Sequence, residues 1–363
     1  MKKVILLQKY IAPYRIPLFN NLAQYPDVDF TMVYYGTKEK RRIWTHFPQK
    51  RFPELQSKCL SIKVNYEQNI ELPVSVLTDL NKLRPDITIC APDFGGIAAY
   101  LYSKKSPKGK YIIWSEATHT TERKVSSAKK YLRKFIFNNA DKFIVPGQLA
   151  KNYIYEYVPL APIIYANNSI NENNFTISKE QLYSKFSGDK LIITFSGSLV
   201  ERKGIILLLN AFKGLMKEKS YLKERCFLRI MGVGPLDLSA YREENISLEG
   251  FCEGERYCNL MKESHIFILP SLQDPNPLTV IEGLFSGNII IVSDGVGNYP
   301  EAVRDNGLVI QSGSSAQIRK ALDFILNLPR EKLTEMALNS LALSETFTTK
   351  KSLEGFVSAL GLN

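Results

Sequence analysis

Residues 266–287 have the sequence IFILPSLQDPNPLTVIEGLFSG. The apolar run Ile266–Leu269 is typical of a strand buried on both faces of a parallel sheet. A helix is predicted to follow, with Pro277 in its first turn, where the missing N–H costs little. Asp274 then lies at the carboxyl end of a strand, where open α/β sheets bind ligands. Taken alone, the stretch also fits an ordinary capped strand–helix joint.

The same alternation of apolar runs and amphipathic stretches extends outward in both directions. The predicted strands of the first half are Val4–Leu7, Phe30–Tyr35, Ile87–Cys90, Tyr111–Trp114 and Lys142–Val145. Those of the second half are Leu191–Phe195, Phe227–Met231, Ile266–Leu269, Ile289–Val292 and Leu308–Ile310. Helices are predicted at Ile16–Ala23, Leu207–Lys217, Thr279–Phe285 and Ala316–Leu326. This alternation predicts a doubly wound α/β fold.

The alternation pauses at residues 157–187, where prolines and asparagines cluster and apolar residues are few. We therefore predict an N-terminal Rossmann-like domain over residues 1–165 and a hinge or linker over 166–187. A second domain of similar size follows over 188–346. The length of 363 residues also favours two domains.

Composition excludes several classes of protein. The chain has 47 Lys and Arg against 36 Asp and Glu, so its formal net charge is +11, which favours an anionic partner. No signature supports nucleic acid as that partner. The five cysteines form no C-x-x-C pair and the three histidines lie at no metal-ligand spacing. No apolar run is long enough for a secretory or transmembrane segment, so we expect a cytoplasmic location.

A second loop whose residues could bind a ligand comprises residues 195–205, FSGSLVERKGI. It also follows a predicted strand. Gly197 lets the backbone approach a ligand, and Arg202 and Lys203 suit a diphosphate. A third loop carries Gly232 and Gly234. Neither loop is a Walker A motif, and a plain turn explains each glycine equally well. Together, the three loops would enclose a nucleotide at one sheet edge.

In that arrangement the cations and a helix N-terminus hold the phosphates, and Glu282 holds the ribose hydroxyls. The backbone N–H groups of Leu278 and Thr279 are expected to be free to meet an anion.

These motifs resemble those of family 4 glycosyltransferases over essentially the whole chain. The family's E-x7-E pattern corresponds to Asp274 and Glu282, preceded by Pro270-Ser271. Its G-R-L-x-x-x-K-G motif corresponds to Gly197-Ser198-Leu199 followed by Lys203-Gly204. Gly287, Gly250-Phe251 and the N-terminal stretch Tyr14–Phe19 also match in position.

The resemblance implies a GT-B fold, in which two Rossmann-like domains face each other across a cleft. The first domain takes the acceptor and the second the nucleotide-sugar. The C-terminal helix, within residues 347–363, is expected to cross back to the first domain. The implied reaction is a retaining sugar transfer that needs no metal or other cofactor.

The resemblance also assigns roles to single residues. Glu282 binds the donor ribose, Asp274 contacts the transferred sugar and Lys203 neutralises the diphosphate. The chain departs from the family pattern at Ser198, where an arginine is usual, and at Asn276-Pro277, where Phe-Gly is usual. Arg202 is a candidate replacement for the missing arginine. The complete predicted donor set is Gly197, Ser198, Arg202, Lys203, Gly232, Gly234, Phe251, Asp274, Asn276, Leu278, Thr279 and Glu282.

On the acceptor side, similar enzymes place a histidine near the reaction centre. Glu116 is nearest that position and is predicted to be catalytic, with His119 as the other candidate. Asp93, Tyr14 and Arg15 are further candidates for the acceptor side. A surface-loop position explains Glu116 and His119 equally well.

A basic segment, Lys124–Lys142, interleaves cations with aromatic residues, which suits a surface helix packed on the sheet or one seated on an anionic membrane. We therefore expect a glycan or lipid-linked glycan acceptor in surface polysaccharide synthesis (O-antigen, capsule or exopolysaccharide). The enzyme would lie at the inner face of the plasma membrane. The alternatives are a sugar-nucleotide epimerase or hydrolase and a catalytically silent scaffold of a glycan-assembly complex.

Overall fold

The computed structural model describes residues 1–36, 44–45, 47–64, 69–122 and 126–362. Its contacts divide the chain into two compact units. Unit 1 comprises Met1–Ser169 and Thr349–Asn363, and unit 2 comprises Ile170–Thr348. Each unit is built on one parallel sheet, so the predicted α/β class with two Rossmann-like domains is confirmed.

Unit 1 contains a seven-stranded sheet in the order β3-β2-β1-β6-β7-β8-β9 and a separate two-stranded antiparallel sheet, β4-β5. The strands are β1 Lys2–Gln8, β2 Val28–Tyr34, β3 Glu54–Gln56, β4 Cys59–Lys63, β5 Asn69–Pro73, β6 Ile87–Cys90, β7 Lys110–Trp114, β8 Lys142–Val145 and β9 Ile163–Tyr165. The helices between them are α1 Ile16–Ala23, α2 Val76–Leu83, α3 Phe94–Lys105, α4 Ser127–Asn138 and α5 Gln148–Tyr155.

The central strand β1 shows why strands of unit 1 have continuous apolar sequences rather than alternating apolar and polar residues. Val4 and Leu6 lie in one apolar core, and Ile5 and Leu7 lie in another. Successive side chains of a strand point to opposite faces, so β1 is buried on both sides.

Unit 2 contains a six-stranded sheet in the order β12-β11-β10-β13-β14-β15. Its strands are β10 Leu191–Ser196, β11 Cys226–Met231, β12 Ile246–Gly250, β13 Ile266–Leu269, β14 Ile289–Ser293 and β15 Gly307–Ile310. Its helices are α6 Lys179–Lys185, α7 Ile205–Glu218, α8 Gly254–Glu263, α9 Leu278–Phe285, α10 Tyr299–Ala302, α11 Ser315–Leu326 and α12 Arg330–Ser344.

The last helix, α13 Thr349–Leu360, belongs to unit 1. Phe356 is fully buried there and contacts the ring of Trp114 edge-on, with the ring centroids 5.0 Å apart. The C-terminal segment therefore completes one apolar core of unit 1.

The predicted hinge over residues 166–187 is wrong for most of its length, because unit 2 begins at Ile170. Leu182 and Phe186 are buried in the core of unit 2. Helix α6 begins with a capping box formed by Ser178 and Gln181. The asparagine-rich composition hid this short helix, because its apolar positions are few.

One smaller expectation also changes. Pro277 is the residue that precedes helix α9 rather than part of its first turn, since its ψ of 119° is extended. No helix among the described residues is long and apolar enough to cross a membrane.

Candidate functional site

Three loops of unit 2 pack against one another at the carboxyl ends of β10, β11 and β12. The Gly197 N–H donates to the carbonyl of Met231 at 3.0 Å, and the Gly232 N–H donates to the carbonyl of Gly250 at 2.8 Å. Gly232 has a φ of 144°, and a Cβ there would lie 1.9 Å from the Gly197 oxygen. Only glycine fits this approach, so Gly232 closes the loop itself, whatever it does for a ligand.

The loop after β10 forms a short 3-10 turn, Glu201–Lys203, that ends at Gly204. Gly204 has a φ of 70°, and a Cβ there would lie 2.2 Å from the carbonyl oxygen of Pro270. The Leu272 N–H donates to the carbonyl of Arg202 at 2.7 Å. These contacts join the cationic loop to the loop after β13.

This junction brings Lys203 and Asp274 into a buried ion pair. Their side chains are 11% and 10% exposed. The Asp274 backbone is also fixed, because its N–H donates to Gly295 and its carbonyl accepts from Gly297. A buried charge needs a partner of opposite charge, and Lys203 and Asp274 are such partners for each other. The structure thus joins two residues that the sequence placed 71 positions apart.

Helix α9 begins beside Asp274 without a side-chain cap. Among the described residues, no acceptor is found for the N–H groups of Leu278 and Thr279. Such a helix start favours negative charge through its free N–H groups and its dipole. This end of unit 2 therefore combines one lysine with a free helix N-terminus.

Buried polar atoms without a partner gather at the same place. They are Ser271 Oγ, Asn276 Nδ2, Thr279 Oγ1 and Asn298 Oδ1. Each such atom costs free energy unless a ligand or water satisfies it. The cluster makes this end of unit 2 suited to a polar ligand or to water.

Glu282, in the second turn of α9, accepts a 2.5 Å hydrogen bond from the hydroxyl of Tyr257. The Tyr257 oxygen also lies 3.1 Å from Ser196 Oγ. Burial raises the pKa of Glu282 to about 7, and the Tyr257 hydrogen bond opposes the rise. Tyr257 was not predicted, because a lone tyrosine in a helix carries no motif.

The remaining residues of the predicted donor set lie in the loops that follow the strands of unit 2. The Arg202 guanidinium donates to the carbonyl of Gln273 at 3.1 Å. Ser198 and Gly234 lie in the loops after β10 and β11, and Phe251 follows β12 with a partly exposed ring. A Cβ at Gly234 would lie 2.3 Å from the Leu199 oxygen, so this glycine also serves loop packing.

Unit 1 has its own polar group at the carboxyl ends of β1 and β7. The Arg15 guanidinium donates to Glu116 at 2.6 Å and to Gln8 at 3.2 Å, and it stacks 4.3 Å from the ring centre of Trp114. The Asn168 amide donates to the same Glu116 oxygen at 2.8 Å. Neither Gln8 nor Asn168 was predicted, because neither lies in a recognisable motif.

Unpartnered buried atoms also surround this group, namely Arg15 Nε, Trp114 Nε1, Asn168 Oδ1 and Ser169 Oγ. Tyr14 lies beside it, with Arg15 5.6 Å from the centre of its ring. Unit 1 thus holds a second place suited to a polar ligand.

Two of the predicted acceptor-side residues have other partners. Asp93 caps α3 by accepting from the Gly95 N–H at 2.9 Å, and it also accepts from the Tyr35 hydroxyl at 2.7 Å. His119 is 74% exposed and lies 3.1 Å from Glu156. Among the described residues, no hydrogen bond or ion pair joins Asp93 or His119 to Glu116.

The basic segment also needs a correction. Lys124 lies outside the described residues, and Arg133 is buried, where it contacts Glu122 at 3.0 Å and Tyr153 at 3.0 Å. Lys129, Lys130, Tyr131 and Lys134 are exposed.

The described residues contain no group of three or more His, Cys, Asp or Glu side chains that could hold a metal ion.

Comparison with known proteins narrows the interpretation of unit 2. Residues 178–340 match the family model described as Glycosyl transferases group 1. The matched segment lies wholly within unit 2 and contains Lys203, Tyr257, Asp274 and Glu282. A curated relative, an uncharacterized glycosyltransferase of Methanocaldococcus jannaschii, is 24% identical over 150 residues. That match covers 38% of this chain and 36%, about a third, of the relative.

Solved structures match over the whole length. HepE of Anabaena, in complex with UDP and glucose, has a TM-score of 0.74 at 13% identity and covers 99% of this chain and 100% of its own. Sucrose-phosphate synthase of Thermosynechococcus elongatus has a TM-score of 0.76 at 13% identity, with coverages of 99% and 98%. At these identities the likeness shows the fold, which is the GT-B fold.

Proposed function

We propose that this protein is a glycosyltransferase that moves a sugar from a nucleotide-sugar donor to a glycan or lipid-linked glycan acceptor. The observation that carries the proposal is the group formed by Lys203, Asp274 and Glu282 at the start of α9, inside the segment that matches the glycosyltransferase family model. HepE, solved with UDP and with UDP-glucose, supports a nucleotide-sugar as the donor.

In this proposal the donor diphosphate meets the Lys203 ammonium, the Arg202 guanidinium and the free N–H groups of α9. These groups stabilise the negative charge that develops on the leaving diphosphate as the glycosidic C–O bond breaks. They are fixed by the fold, so little reorganisation is needed during the reaction. Asp274 contacts the transferred sugar, and Glu282 binds the ribose hydroxyls.

The transfer is proposed to retain the anomeric configuration and to need no metal ion. Retention brings the acceptor hydroxyl to the face of the sugar that the diphosphate leaves. On the acceptor side Glu116 is the candidate catalytic carboxylate, and Arg15 and Asn168 hold it. Both donors meet the same oxygen of Glu116, which fixes the orientation of the carboxylate.

Nucleotide binding tests the donor half of the proposal. Thermal unfolding is measured with UDP, GDP, ADP, CDP and their sugar conjugates in EDTA. Stabilisation by one base series is expected, since a ligand that binds only the folded state raises the unfolding temperature. The absence of any shift would instead favour the silent scaffold. Turnover of the donor without an acceptor would favour the epimerase or hydrolase.

A surface polysaccharide acceptor on a lipid carrier requires contact with a membrane. Helix α4 supports this part of the proposal with three exposed lysines, Lys129, Lys130 and Lys134, beside the 77% exposed Tyr131. Lysines near an anionic surface contribute roughly 1 kcal/mol each to binding. The enzyme would then act at the inner face of the plasma membrane.

Vesicle binding tests the membrane contact. Replacing Lys129, Lys130 and Lys134 with Glu should strongly reduce co-sedimentation with phosphatidylserine vesicles at low salt. The matched control replaces three exposed lysines elsewhere, Lys179, Lys217 and Lys350, and therefore changes the net charge equally. Equal loss in both variants would mean that net charge, and not α4, drives binding.

A further inference from the structure

The Tyr257 hydroxyl connects the loop after β10 with the carboxylate of α9. It lies 2.5 Å from Glu282 Oε2 and 3.1 Å from Ser196 Oγ. A carboxylate only accepts hydrogen bonds, so Tyr257 donates to Glu282. Ser196 can then donate to the same tyrosine oxygen. The three side chains form a directed chain that ends on one oxygen of Glu282.

This series of hydrogen bonds uses only Oε2, one of the two carboxylate oxygens of Glu282. Among the described residues, no hydrogen-bond partner is found for Glu282 Oε1. The Tyr257 ring is held edge-on by Phe175, with the ring centroids 5.9 Å apart. A fixed tyrosine therefore restrains one oxygen of Glu282 and leaves the other available to a ligand.

We propose that Tyr257 is a positioning residue, which holds Glu282 through Oε2 so that Oε1 accepts a hydrogen bond from a ribose hydroxyl of the nucleotide donor. This inference rests on the proposed function, because it presupposes a nucleotide at this site. Tyr257 itself need not touch the nucleotide. Its effect should therefore depend on the presence of the ribose hydroxyls.

The same hydrogen bond has a consequence for pH dependence. The ionised form of Glu282 is the stronger acceptor, and its pKa of about 7 would be higher without Tyr257. Ribose-dependent binding should therefore strengthen as the pH rises through 7. In a Tyr257→Phe variant this rise should move to higher pH.

The experiment measures Kd by calorimetry for the full-length protein. UDP, GDP, ADP and CDP are tested first, and the tightest ligand is compared with its 2′,3′-dideoxy analogue from pH 6 to 9. The variants are Tyr257→Phe, Glu282→Gln and, as a matched control, Tyr221→Phe. The Tyr221 hydroxyl also makes a side-chain hydrogen bond in unit 2, at 3.1 Å to Asn327.

We expect Tyr257→Phe to weaken binding of the ribonucleotide about 10-fold, the effect of one hydrogen bond to a charged group. Binding of the dideoxy analogue should change less than about 2-fold, and Tyr221→Phe should leave both ligands unaffected. The ratio of variant to wild-type affinity at each pH cancels the titration of the diphosphate. That ratio should move toward 1 at high pH.

Equal losses for the ribonucleotide and the dideoxy analogue would overturn the inference, because Tyr257 would then act only on the packing of α8. If Tyr257→Phe fails to fold, Ser196→Ala provides the same contrast, with an expected loss of about 2-fold to 3-fold for the ribonucleotide alone. A wild-type protein that binds none of the four diphosphates would refute the proposed function itself.

Discussion

Each unit carries an ion pair at the carboxyl ends of its parallel strands, and the two ion pairs differ in burial. In unit 2 the side chains of Lys203 and Asp274 are 11% and 10% exposed, whereas in unit 1 those of Arg15 and Glu116 are 17% and 25% exposed. The pair of unit 2 lies beside a free helix N-terminus, and that of unit 1 lies over a tryptophan ring. The difference shows that the loops, rather than the shared sheet architecture, determine how deeply each ion pair is buried and what lies beside it.

The largest expected effect comes from breaking the buried ion pair of unit 2, Lys203 with Asp274. Lys203→Met should lower kcat/KM for the proposed transfer by about 10³-fold, because it removes the main cation that the proposal places at the leaving diphosphate. It should also lower the free energy of unfolding by about 3 kcal/mol, since Asp274 remains buried without its partner. Steady-state assays and urea titration measure the two effects.

The control for that variant is Lys213→Met, which breaks the more exposed pair with Glu243 in the same unit. It should change activity less than about 2-fold and stability by about 0.5 kcal/mol or less. Wild-type activity in Lys203→Met would place the diphosphate elsewhere.

A second prediction concerns the glycine that allows the loops of unit 2 to meet. Gly204→Ala should cost about 3 kcal/mol of stability, because alanine is strained at a φ of 70° and its Cβ would collide with the Pro270 carbonyl. Gly214→Ala, in the interior of α7, meets no atom within 4 Å and should instead stabilise the protein by about 0.5–1 kcal/mol. Equal thermal shifts for the two variants would contradict this description of the junction.

The third prediction distinguishes the units by function. Arg15→Met should lower transfer about 10-fold to 100-fold, the effect of losing one hydrogen bond between charged groups. Nucleotide affinity should remain within about 2-fold of wild type, because the proposed nucleotide site lies in unit 2. Lys50→Met, which breaks the exposed pair with Glu54 in unit 1, serves as the control. A large loss of nucleotide affinity in Arg15→Met would remove the proposed division of roles.

The smallest predicted effect is on pH-dependent stability. Burial raises the pKa of Glu282 from 4.5 to about 7, so the folded state binds more protons than the unfolded state between these values. The free energy of unfolding should therefore fall as the pH rises through this window, on the order of 1 kcal/mol for a partly accessible group. Glu282→Gln should remove this fall, as urea titrations at pH 5 and pH 8 would measure. Glu263→Gln, at the exposed end of α8, should keep it.

Much of the fold could be predicted because parallel strands buried on both faces have a simple sequence pattern. Ile87–Cys90, Lys142–Val145 and Ile266–Leu269 are strands with the predicted bounds. β3, β4, β5, β9 and β12 were missed, since their sequences lack continuous apolar runs of four residues or more. The division between the units was also misplaced, because a short capped helix resembles a polar linker in composition.

The candidate site could be predicted only where chemistry and motif coincide. Lys203, Asp274 and Glu282 each follow a strand end, and their residue types suit a nucleotide-sugar. Tyr257 and Asn168 lie outside such motifs, so their roles depend on which side chains pack beside them. Arg133 was predicted wrongly in the opposite direction. Its charge suggested a surface position, but the residue is buried and its charge is paired with Glu122.

The sequence by itself determined the α/β class, the positions of most strands along the chain and the residues that follow the strand ends. These properties follow from local periodicity and from the rule that ligands meet the carboxyl ends of parallel strands. Tertiary structure alone decided the pairing of Lys203 with Asp274, the hydrogen bond from Tyr257 to Glu282 and the burial of Arg133. Each of these depends on contacts between different structural elements, and no local pattern specifies such contacts.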